Sequence, residues 1–547
     1  MKRTFILAAL AVMAFVGCNK EAAVDSIQTV DGPAAMLKVN LKAAGTITKA
    51  ETGTFEYGTA DENKVSKVDF YFFDAAGDDY SVVNAGNSIS WSANTATPVE
   101  SVEAVSDVVL VIKQSKTELP AKVVAVVNST VDYTGKTLAE MAATIATACN
   151  GTDGFVMSNS VYADGNVVIN ATDILPENIF AAEADAIGAV GSAVSADKVE
   201  KFEVNPIDIF VERVAAKVKV GAATGVALAK IPVMDEAGTT QMVDASGNKV
   251  FAKILGWDVT NTVTGANTLK AIDPSWTNLG FTPWNNAAFY RSYWAATPES
   301  LVPAHTHAYK DLTSMDAKYY FENTKPAAAE NSVTPGDGNQ APQLLVAAQL
   351  VDNDGKAIQL AKWYNVTYTI ADLKVAMVNQ VASKLYVCEG SETDPVTGIT
   401  ETSYRSVTVD DVDFVQKPQN TPDNRYEVIM VPGKDVEYYS AAGAAQNIAL
   451  AKEDVEAIIG GVDPAQMWTE GAAYYYTNIQ HFGDAVGMVR NHVYDIKLEA
   501  VKGFGTPVYD PDHVITPEKP DEQSAANLAA QINILSWHVV ANDVTLQ

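Results

Sequence analysis

Residues 37–43, LKVNLKA, alternate apolar and polar side chains until Gly45 breaks the run. A period of two places Leu37, Val39, Leu41 and Ala43 on one face of an extended chain, the pattern of a strand with one buried side. Further apolar runs predict strands over 65–73 (VSKVDFYFF), 108–113 (VVLVIK), 122–127 (KVVAVV) and 208–220 (DIFVERVAAKVKV). Turn signals such as AAGD at 75–78 and ADG at 163–165 separate them. One stretch reads as helix: Thr137 and Glu140 form a capping box, and an Ala/Met/Ile-rich run follows to Cys149.

The pattern weakens over 221–250 and then resumes, with strands predicted at 250–263, 343–351, 364–370, 384–387, 426–431 and 492–498. Aromatic residues concentrate at 276–294, where core or interdomain packing is the reading preferred over a sugar-binding surface. Residues 503–530 are loop-like and proline-bearing, and one more strand pattern closes the chain over 532–546. There Ile532 and Ile534 share a face, Leu535, Trp537 and Val539 share the opposite one, and Val540, Val544 and Leu546 return to the first. That change of parity predicts two short strands with a bulge between them.

Many short strands with one or two helices point to a mainly β protein of Greek-key sandwiches, not to an alternating βα enzyme fold. At 547 residues the chain exceeds what one core supports. The expected division is a signal segment at 1–18, a tether and first strand at 19–49, domains at 50–222 and 245–530, and a terminal strand at 531–547.

Charge narrows the partners. The chain has 67 acidic and 38 basic side chains, a net charge of −29, which argues against nucleic acid as a partner. The first eighteen residues read as a sorting signal: Lys2 and Arg3 precede an apolar run too short to span a bilayer, which ends in Phe15-Val16-Gly17-Cys18. Small residues before a cysteine look like a bacterial lipobox, although Phe15 stands where Leu is usual. Lipidation of Cys18 is therefore expected, attaching the precursor to the outer membrane. The remaining cysteines, Cys149 and Cys388, are 239 positions apart and read as free thiols.

Catalytic chemistry is sparse. His305-Thr306-His307 has no third ligand at metal spacing and reads as a loop or surface pair. Asp352-Asn353-Asp354-Gly355 lacks the distal Glu of a calcium loop and reads as a turn. Gly503-Phe504-Gly505 meets Pro507 and opens no phosphate-binding helix, and Asp410, Asp411 and Asp413 read as a solvated edge. No cofactor, metal or enzymatic activity is expected.

Several longer strings resemble the fimbrillins, subunits of the type V pili of Bacteroidetes. They are VERVAAKV at 211–218, FYFFD at 70–74, RSYW at 291–294, FENT at 321–324, VRNHVYDI at 489–496 leading into GFGTP at 503–507, and ILSWHVV at 534–540. The last two are closest to the short-fimbria major-subunit branch. The resemblance implies two transthyretin-like β-sandwich domains and a structural role in a fimbria that supports adhesion. It also implies a surface protease that removes the anchor with the first strand, and a head-to-tail filament in which the terminal strand of one copy fills the vacated groove of another. Accessory tip and anchor subunits are the further partners. Here the cut is expected between Lys49 and Ala50, and the donor is 532–546. Since no Arg lies between Arg3 and Arg213, an Arg-only protease would find no site in the leader. The rival readings are a tip or anchor adhesin of the same pilus and, from another class, a surface lipoprotein that binds or hydrolyses glycans.

Overall fold

The computed structural model describes residues 34–43, 56, 58–80, 88–92, 104–113, 120–151, 153–164, 167–181, 191–195, 206–273, 294–325, 340–418, 425–481, 485–514, 528–536 and 539–540. The architecture is mainly β. The first sheet is built from β1 (Ala34–Ala43), β2 (Val68–Phe73), β3 (Ser88–Trp91), β4 (Ala104–Lys113), β5 (Lys122–Val127), β6 (Met157–Asn159), β7 (Ser192–Ser195) and β8 (Ile207–Arg213). Its spatial order is β7-β4-β1-β8-β6-β5-β2-β3. The two ends of that order, β7 and β3, come together, so the sheet folds over one core. Leu37, Val39, Phe70, Phe72, Leu110, Ile112, Val123, Val127, Met157 and Ile209 meet there. The capping box forms as expected, but the helix (α1, Leu138–Ala143) ends at Thr144.

The run 208–220, read as one strand, is two. β8 stops at Arg213, and after Val214 alone the chain enters β9 (Ala215–Ala222) in a second sheet system. The structural handover therefore falls at Val214, ahead of the boundary expected after residue 222. Next come β10 (Ile231–Met234), β11 (Phe251–Thr260), β12 (Lys318–Phe321) and β13 (Gln343–Val351). A bulge interrupts the β11–β13 ladder between Ile254 and Gly256. A side chain is impossible at Gly256, because a Cβ would lie 2.4 Å from the Leu312 carbonyl oxygen.

An insert with a core of its own follows. It contains β14 (Leu360–Trp363), β15 (Val366–Tyr368), the helix α2 (Ile370–Asn379), and the hairpins β16 (Tyr386–Thr393) with β17 (Thr400–Ser406) and β18 (Val412–Pro418) with β19 (Tyr426–Pro432). The helix α3 (Lys452–Ile459) and β20 (Gln466–Trp468) complete it. Leu373, Met377, Leu385, Met430, Val455 and Ile459 fill this core. The strand expected at 364–370 is shortened to β15. Tyr364 and Asn365 turn the chain at φ +44° and +63°, and Thr369 caps α2 by accepting from the Asp372 amide at 3.1 Å.

The chain returns through β21 (Ala472–Asn478) and β22 (His492–Lys502) to β23 (Leu528–Ser536) and β24 (Val539–Val540). β22 runs parallel to β9 from Lys217↔Val493 to Ala222↔Leu498. β10 joins the layers, its first half pairing with β11 and its second with β22. Between the layers lie Trp257, Val346, Leu350, Trp468, Tyr475, Tyr494 and Ile496. Among the described residues no helix is long and apolar enough to cross a membrane.

Candidate functional site

β1 occupies a slot. On one side it pairs antiparallel with β4 along its whole length, Ala34↔Lys113 to Ala43↔Ala104. On the other it pairs parallel with β8 from Val39↔Ile207 to Ala43↔Val211, and Ile179–Ala181 completes that edge beside Ala35 to Leu37. Met36, Leu37 and Val39 have no exposed surface. The alternating pattern at 37–43 thus belongs to a central strand, and the backbones of Leu41 and Ala43 lie opposite Ile209 and Val211. Cys18, Lys49 and Ala50 lie outside the described residues, as do residues 276–293 of the aromatic stretch.

Downstream of the expected cut, charged side chains fasten the chain to the second sheet. Lys217 on β9 reaches Glu56 at 3.0 Å and Glu62 at 2.9 Å. Lys219 also binds Glu56, and the Tyr319 hydroxyl donates to Glu62. Arg213 donates to the Glu62 carbonyl at 2.9 Å and to Asn63. Burial alone would raise both carboxyls. For Glu62, hydrogen bonds from Tyr319, Lys217 and the Thr59 amide outweigh it; for Glu56, Lys219 and Lys217 do, and both groups end below the ordinary 4.5. A depressed carboxyl contributes stability that is fully present above 4.5 and is lost as pH falls through the folded value. We therefore expect the melting temperature to drop below pH 4.5 and Glu62→Gln to flatten that drop. An unchanged pH profile in Glu62→Gln would show that this carboxylate carries none of the acid sensitivity.

A second buried network crosses the junction. Lys270 meets Glu212 at 3.0 Å with both side chains fully buried. Arg490 forms an ion pair with Glu322, equally buried, and donates to the carbonyls of Thr268 at 3.1 Å and Asn267 at 2.6 Å. Thr268 in turn bonds Tyr133 at 2.8 Å and, through its carbonyl, Ser158 at 2.6 Å. Sequence patterning did not single out these charges.

At the other end of the chain, β23 lies antiparallel on β22, from His492↔Ser536 to Val501↔Leu528, on the edge not taken by β9. Ile532, Ile534 and Leu535 stand opposite Ile496, Tyr494 and Val493. Val539 and Val540 pair back onto Leu535 and Ile534, so a fold-back replaces the expected bulge. Trp537, Val544 and Leu546 lie outside the described residues. Residues 466–543, which span β20 to this fold-back, match the model of the fimbrillin C-terminal region, described as major fimbrial subunit protein type IV. This stretch is similar to the C-terminal region of the fimbrillins. Among curated protein sequences none matches. Solved structures similar to this chain include a putative cell adhesion protein from Parabacteroides distasonis (14% identity, 91% of this chain and 97% of that one, TM-score 0.34). A fimbrilin from Porphyromonas gingivalis (14%, 92% and 98%, 0.32) and its tip fimbrial protein Mfa3 (10%, 92% and 100%, 0.29) are others. The likeness to fimbrillins rests on the family match at 466–543 and not on these overlays.

The motifs weighed for chemistry have structural employment in this chain. His305 bonds the Thr260 hydroxyl at 3.1 Å and His307 the Val259 carbonyl at 3.0 Å. Asp352 caps a tight turn, accepting from the amides of Asp354 and Lys356. Asp411 corrects the solvated-edge reading. It is 7% exposed, and paired hydrogen bonds from Arg405 with those from Thr408 push its carboxyl down to about 2. Cys149 and Cys388 are free thiols.

Proposed function

We propose that this chain is a fimbrillin, a polymerising stalk subunit of a surface fimbria. In this reading it is exported as a lipoprotein through Cys18, trimmed between Lys49 and Ala50 by a surface protease that accepts lysine, and assembled head to tail by strand exchange. The carrying observation is the position of β1. Its loss would leave unpaired edges on both β4 and β8 over an apolar floor. The fastening of Glu56 and Glu62 supports the same scheme, since the chain beyond the cut would stay in place when β1 leaves. The contrast with β23 also supports it. Outside the terminal segment that strand pairs with β22 alone, so its departure would unpair one strand edge where the loss of β1 unpairs two. A filament joint then forms when the terminal strand of one copy enters the β4–β8 slot of the next. No catalytic step is required.

N-terminal sequencing of filaments sheared from cells tests the scheme. We expect the mature chain to begin at Ala50, and filaments that retain residues 37–43 would overturn it. In the same cells Cys18→Ser should lose palmitate labelling. A tip or anchor role would appear as one copy per filament instead of labelling along its length.

A further inference from the structure

The insert carries a recess that strand exchange leaves unused. At its centre is the turn between β14 and β15, where two consecutive left-handed residues make the tight reversal that twisted hairpins favour. Asn365 is at home in such a turn. Tyr364 is not, because a bulky L-residue at positive φ is strained where Gly or Asn would not be. The ring is nevertheless fixed. It packs on Trp363 with centroids 4.6 Å apart, and its hydroxyl donates to the Asp463 carboxylate. Trp363 Nε1 bonds the Asp463 carbonyl at 3.2 Å, which holds that loop in register. Tyr364 remains 63% exposed. The fold thus tolerates a strained backbone at a position that keeps an anchored aromatic ring open to solvent.

Lys362, Asn365, Arg425, Glu427, Asp463 and Gln466 surround that ring in a recess of about 630 Å³. Arg425 Nε bonds Glu427 at 3.0 Å. Two cations face two carboxylates, so the lining has no net charge, and two side-chain amides add donors and acceptors. We propose that this recess binds a neutral saccharide, one sugar ring stacking on Tyr364 while its hydroxyls bond the carboxylates and amides around it. A pyranose has an apolar C–H face and a rim of groups that both donate and accept, which is what one aromatic platform within a charge-balanced polar wall complements. An apolar ligand would strand these polar groups, and a polyanion would meet Glu427 and Asp463. None of the lining residues belongs to β1, β8, β22 or β23, so the inference stands apart from the assembly scheme.

The test uses the full chain and a panel of immobilised neutral oligosaccharides ending in glucose, galactose, mannose or N-acetylglucosamine, with heparin as the polyanion. We expect saturable binding to at least one neutral member, weakened about tenfold or more by Tyr364→Gly. Glycine relieves the positive φ, so the melting temperature should hold or rise in that variant, and lost binding then reports the ring. Tyr364→Asn, which also tolerates the turn, should behave alike. Absence of binding to every neutral member, unchanged binding in both variants, or a preference for heparin over the whole panel would each overturn the proposal.

Discussion

Arg490→Ala is expected to destabilise the protein by about 3–5 kcal/mol, the usual cost of removing one member of a buried ion pair. Glu322 would lose its ion-pair partner while having no exposed surface, the Asn267 carbonyl would lose the guanidinium donor, and the Thr268 carbonyl would keep Ser158 alone of its two side-chain donors. Lysine is no remedy, because one ammonium cannot address a carboxylate and two carbonyls at once as the guanidinium fork does. The double variant Arg490→Met with Glu322→Gln should lose less than Arg490→Ala alone, since it removes the orphaned charge as well. Urea denaturation of the single and double variants measures this. A single variant within about 1 kcal/mol of the parent would mean that water reaches Glu322.

The second large effect is expected from the chain without residues 1–49. Met36, Leu37 and Val39 are wholly buried, and at about 1.5–3 kcal/mol each their removal costs roughly 5–9 kcal/mol before any backbone term. That is comparable to the whole stability of an ordinary domain. The purified 50–547 chain should therefore melt in two steps, the first far below the melting temperature of the full chain, unless it assembles. A synthetic peptide of residues 34–43 should raise the first step and block assembly. A single transition at the parent temperature, insensitive to the peptide, would remove the basis for strand exchange.

How far these features could be read from sequence differs by element. Strands 122–127 and 343–351 form within their predicted limits, because continuous apolar runs there are closed by turn residues. The first strand was legible from its period alone, and its central place was not, since pairing partners leave no mark on a strand's own alternation. The break at Val214 was hidden because apolar residues continue on both sides of it while the burying sheet changes. The insert was misread at 369–370, where the β-branched pair Thr369 and Ile370 extended the strand pattern past the Thr369–Asp372 capping signal that starts α2. The buried charges escaped for another reason. Arg490 and Glu322 are 168 positions apart, and a lone charge in a strand pattern is by default a solvated one.

The single residue between β8 and β9 has a mechanical consequence. β1 lies parallel to β8; β8 continues through Val214 into β9; and β9 lies parallel to β22, from which the chain leads on to the terminal strand. Tension applied between the two ends of a subunit would run down this one line of strands. Each ladder along it would be pulled lengthwise, so its hydrogen bonds would have to fail together and not be peeled apart in turn. Beside the cable, β4 pairs with β1 along its whole length and would share the load at that first ladder.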